Sequence, residues 1–90
     1  MKVFQPDFAV IVCDHVFRKL APILLVVRDE DDSWQFLCGG DHEDDECHSV
    51  GVGHFTAQDA RLNETAELAT GSYAERVTTG EPWQFGLLEP

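Results

Sequence analysis

The stretch PILLVVRDEDDSWQFLC, residues 22–38, constrains the fold more than any other part of the chain. Residues 22–27 are a continuous apolar run that ends at Arg28, with β-branched Ile23, Val26 and Val27 inside and a proline at the edge, the pattern of a buried strand. Five polar residues follow, and then Trp34, Phe36 and Cys38 alternate with Gln35 and Leu37. Two strand patterns joined by so short a polar segment predict an antiparallel hairpin, with Trp34, Phe36 and Cys38 turned to the core. The run FAVIVC, residues 8–13, repeats the buried-strand pattern after Pro6, although periodicity alone also allows a short helix there.

Further along, SVGVGHF (49–55) alternates Val50, Val52 and His54 against Gly51, Gly53 and Phe55, which reads as a fourth strand with one face poor in side chains. Such a face lets a ring, Trp34 or Trp83, lie close to the backbone. The period then changes. Thr56-Ala57-Gln58-Asp59 has the form of a capping box, and a second turn from Asn63 to Ala69 is closed by Gly71. Trp83, Phe85 and Leu87 alternate near the C-terminus, as an edge strand or as an apolar tail laid over the core. The expected fold is α+β: an antiparallel sheet of four or five strands, with one or two short helices from residues 56–70 on one face. Ninety residues make a single small domain, 1–90.

Charge narrows the partners. The chain carries 17 Asp and Glu against 6 Lys and Arg, a formal net charge of −11. A surface of that sign repels phosphate backbones and anionic lipid, so neither nucleic acid nor a membrane is expected as partner, which leaves a basic protein, a cation or a neutral ligand. No apolar run, neither residues 8–13 nor Ile23–Val27, is long enough to span a bilayer. Three cysteines, Cys13, Cys38 and Cys47, cannot all pair within one chain, and no signal-peptide pattern opens the sequence; a reducing cytoplasm is the expected compartment.

The segment CGGDHEDDECHSV, residues 38–50, holds two cysteines, two histidines and a run of carboxylates. As a zinc site it offers Cys38 and His42 at suitable spacing, but Cys47 and His48 are adjacent, and neighbours on an extended chain point to opposite faces. A metal site of Cys38, His42, Cys47 and His48, serving a metal-dependent hydrolase, is therefore the alternative, and a solvated acidic loop with no cofactor the leading reading. Calcium fails: counted from Asp41, an EF-hand register puts Glu46 where glycine belongs and Val52 where the bidentate glutamate belongs. The two acidic segments, 29–32 and 41–46, flank the third strand, and at ~3.3 Å per residue its five residues hold them roughly 15 Å apart.

Catalytic motifs are missing from the sequence: there is no Gly-x-Ser-x-Gly, no His-Glu-x-x-His and no phosphate-binding loop. Cys13-Asp14-His15 sets a thiol beside an imidazole, but nucleophile and base must meet in space, which strand neighbours seldom do. No enzymatic activity is expected.

The order of VCD (12–14), PILLVVRDEDDSWQFLCGGDHEDD (22–45), VGVGHF (50–55) and AERV (74–77) followed by Trp83 resembles a group of small bacterial proteins of unknown function. More distantly it is similar to a domain family proposed to act as immunity proteins against polymorphic toxins. Those relatives carry Gly-Trp-x-Phe and then Gly-Asp-Glu; here Ser33 stands before Trp34-Gln35-Phe36, and His42 separates Gly40-Asp41 from Glu43. The resemblance implies an α+β fold and no established active site; taken together with the acidic loops, it makes a non-enzymatic, immunity- or antitoxin-type module that binds a basic protein such as a toxin the expected function. The acids Asp41, Glu43, Asp44 and Asp45 are the expected partner-binding residues.

Overall fold

The computed structural model describes residues 3–39 and 47–88. Six strands, β1 (Ala9–Cys13), β2 (Leu25–Arg28), β3 (Trp34–Leu37), β4 (Cys47–Gly51), β5 (Ser72–Glu75) and β6 (Gln84–Leu87), form one sheet in the order β4-β1-β3-β2-β5-β6. Three short helices accompany them: α1 (Asp14–Phe17), α2 (Gly53–Thr56) and a 3-10 helix (Ala60–Thr65). The fold is α+β as the sequence implies, but the sheet is larger and it is mixed.

The hairpin is present. β2 and β3 pair antiparallel with Arg28 opposite Trp34 and Val26 opposite Phe36. β1, by contrast, enters beside β3 in parallel, Val12 opposite Phe36, and pairs antiparallel with β4 on its other side. β5 adds to the free side of β2 and β6 closes the sheet, both antiparallel. Residues directly opposite one another share a face, so Val12, Phe36, Val26 and Ala74 form one row across four strands. All four are fully buried, and Val16, Val52, Leu62 and Leu68 from the helical segments join them in the same core. Trp34 lies at the margin of this core, edge-on to Phe4 at 5.2 Å between ring centroids.

Several expectations differ from the observed fold. Gly53-His54-Phe55 is helical: β4 ends at Gly51, and the Phe55 N–H donates to the Val52 carbonyl. Close packing of the N-terminal segment forces the change, because the Gly53 N–H donates to the Pro6 carbonyl and a Cβ at position 53 would sit 2.9 Å from Pro6. It is thus Pro6, rather than a tryptophan ring, that uses the bare glycine backbone. The cap of the following helix is Asp59, whose carboxylate accepts the Arg61 N–H, in place of Thr56. The 3-10 helix ends at Thr65, so Gly71 does not close a helix to Ala69; with φ of 77°, a left-handed conformation that glycine adopts without strain, it turns the chain into β5 and donates its N–H to the Arg28 carbonyl.

β5 is an unexpected strand, because its residues Ser-Tyr-Ala-Glu carry little apolar signal. Its last strand neighbour, Arg76, is buried. The guanidinium donates twice to the Ile23 carbonyl, pairs with Asp59, and lies 4.2 Å over the Trp83 ring. Trp83 in turn donates its indole N–H to the Arg61 carbonyl at 3.0 Å. One cation thus ties the entry to β2, the helical segment and the approach to β6.

Candidate functional site

Among the described residues, two places gather chemistry. The first is the carboxyl end of the parallel pair β1–β3. Cys13 is the last residue of β1, His15 lies in the first turn of α1, and Cys38 follows β3 directly. Strands running the same way end at the same edge of the sheet, so the topology alone brings Cys13 and Cys38 near one another. The start of α1 at Asp14 then breaks the strand alternation and swings His15 back. The Sγ atoms of Cys13 and Cys38 and a ring nitrogen of His15 all lie within 4.8 Å of one another. Cys13 is buried at 1% exposure, and the other two side chains are half-buried. No cysteine among the described residues is in a disulfide.

Asp14 faces elsewhere. Its carboxylate meets His48 Nε2 at 3.0 Å and the Arg18 guanidinium at 3.0 Å, and the His48 ring stacks on Phe17 with centroids 3.9 Å apart. The hydrogen bond with His48, and secondarily the positive Arg18 guanidinium, hold the Asp14 carboxyl below the usual carboxylate range against an opposing effect of desolvation. Asp31 is also lowered, chiefly by the Ser33 backbone N–H that it accepts at 3.0 Å.

The second place is the groove between β6 and the 3-10 segment. Ala74 opposes Phe85 and Ser72 opposes Leu87, so both β6 side chains project on the core face. The helical cover reaches Ala74 and Ser72, which are buried, and stops there; Phe85 is 61% and Leu87 77% exposed. Glu64, Glu67 and Leu68 line the opposite wall of this groove. A third depression, between α1 and the 3-10 helix, is lined by Lys19, Leu20, Phe55 and Asp59, and its Asp59 is already taken by Arg76.

Of the residues singled out in the sequence, Asp41, His42, Glu43, Asp44 and Asp45 lie outside the described residues. Cys38 belongs to the group with Cys13 and His15. Cys47 is exposed on edge strand β4, although its Cα is the register partner of Cys13, and His48 is engaged by Asp14 and Phe17. As sequence, Cys13 and His15 suggest a nucleophile and base held apart by strand geometry; the spacing Cys-x-His at a strand end is the signal for their convergence. Phe85 and Leu87 were visible as an alternation, but their exposure was not.

Every arginine of the chain is matched to a carboxylate: Arg18 to Asp14, Arg28 to Asp32, Arg61 to Glu64 and Arg76 to Asp59. The long-range field of the surface is correspondingly anionic. Among the described residues no helix is long and apolar enough to cross a membrane. No protein-family model, curated protein or solved structure matches the chain.

Proposed function

We propose that this chain is a non-enzymatic, immunity-type binding module that captures a basic protein partner in the cytoplasm. The observation that carries the reading is the open groove at β6: two large apolar side chains on a sheet edge, faced by Glu64 and Glu67. Apolar anchors supply most of the affinity of an interface, while surrounding charge selects the partner and speeds encounter. A partner that lays an apolar side chain between Phe85 and Leu68 with a Lys or Arg beside it satisfies both walls. The acids Asp41, Glu43, Asp44 and Asp45 extend the same sign of charge and are proposed to steer the same partner.

The test is capture from the producing cell, followed by binding measurements with the captured protein purified. Wild-type chain is expected to retain a basic protein that is lost on Glu64→Lys with Glu67→Lys, lost on Phe85→Asp, and weakened by reversing Asp41, Glu43, Asp44 and Asp45. Identical retention by wild type and all three variants overturns the reading.

A further inference from the structure

We propose that Cys13, His15 and Cys38 form a binding site for one divalent transition cation of the zinc class, independent of the partner-binding groove. Three observations converge on it. The three ligand atoms already lie within 4.8 Å of one another. Tetrahedral zinc with thiolate and imidazole ligands sets these atoms roughly 3.5–3.8 Å apart, from Zn–S near ~2.3 Å and Zn–N near ~2.0 Å, so closure needs side-chain shifts of only about 1 Å. The donor set also decides the metal. Two thiolates and an imidazole are ligands for a borderline-soft ion, whereas calcium and magnesium require oxygen donors, and the carboxylate between Cys13 and His15 in the chain, Asp14, is committed to His48 and Arg18.

Charge and burial fit as well. Two thiolates and a dication sum to zero, so the complex forms at a largely buried position without leaving an uncompensated charge there. The half-buried His15 and Cys38 give the ion a route to Cys13, which is itself inaccessible. Binding replaces two S–H protons by two metal–sulfur bonds and releases both protons to solvent, so affinity rises with pH over the thiol range. Three protein ligands leave a fourth position for water or an exogenous ligand. Rigid placement comes from the sheet: Cys13 and Cys38 sit at the ends of two hydrogen-bonded parallel strands.

The experiment uses the full chain, reduced and stripped of metal, titrated with cobalt(II) and then zinc(II). One equivalent of cobalt is expected to give tetrahedral d–d absorption and thiolate-to-metal charge transfer of two-thiolate intensity, displaced by zinc, with two protons released per ion. His15→Gln and Cys38→Ser, both at half-buried positions that leave the core intact, are expected to weaken binding by more than about 100-fold, beyond the loss seen for outer-shell partners. Cys13→Ser is expected to do the same, with circular dichroism confirming the fold. Cys47→Ser is expected to bind as wild type. Absence of stoichiometric binding by the wild-type chain overturns the proposal. So does full-strength binding by folded His15→Gln or Cys38→Ser, or loss of binding in Cys47→Ser, which would move the site to residues 38–48.

Discussion

Arg76 shows how much a single side chain organises here. Its charge is buried and compensated by Asp59, the Ile23 carbonyl and the face of Trp83. A buried ion pair contributes modestly when intact, but removing one partner strands the other. Arg76→Ala is therefore expected to cost about 3–5 kcal/mol in urea unfolding. Adding Asp59→Ala to Arg76→Ala should cost less than the two single losses summed, and strict additivity would contradict the described pairing. Asp14 makes a prediction in pH. Its folded-state carboxyl is lowered, so the stabilisation is fully present above the ordinary carboxylate range and is lost as pH falls through the lowered value. Asp14→Asn should flatten that part of the acid-unfolding curve; an unchanged curve would show that the His48 contact has no weight. None of this was readable from the sequence, because Arg76 and His48 draw their roles from partners 17 and 34 residues away.

At the level of elements, the segments with strong local signals were legible and the others were not. β1, β2 and β3 were readable from β-branched runs and alternation, since a strand buried on one or both faces must be apolar in those patterns. β5 was not, because its neighbours β2 and β6 supply the pairing and its own residues only fill it. The parallel entry of β1 beside β3 was hidden too, since it depends on chain path rather than on composition. Gly53 marks the sharpest conflict between local and tertiary preference. In a helix, Gly→Ala ordinarily stabilises by up to about 1 kcal/mol. Here the new Cβ would meet Pro6 backbone and ring atoms at 2.9–3.0 Å, and overpacking of that kind costs about 1–3 kcal/mol. Gly53→Ala is thus expected to lower the denaturation midpoint, and a raised midpoint would show that the N-terminal segment does not hold α2. Convergence of Cys13, His15 and Cys38 belongs to this scale as well, since it needs both the parallel pairing and the helix start at Asp14.

For the whole molecule the governing quantity is a charge of −11 spread over a body of 32 × 29 × 25 Å. At about 0.01 M salt the screening length is about 30 Å, so every carboxylate repels every other; at about 0.15 M it is about 8 Å and only neighbours interact. The melting temperature is expected to rise over that range, while the affinity for a basic partner falls. A melting temperature that drops with salt would mean that the arginine pairs outweigh the self-repulsion. Net charge was legible in composition; the location of the proposed binding face was not, because it depends on where the helical cover stops. The most direct test places a photo-crosslinking side chain at position 85 in the producing cell. One dominant adduct with a basic protein, abolished by Glu64→Lys with Glu67→Lys, is expected; adducts only with acidic proteins, or an adduct indifferent to those reversals, would rule out partner capture at the β6 groove.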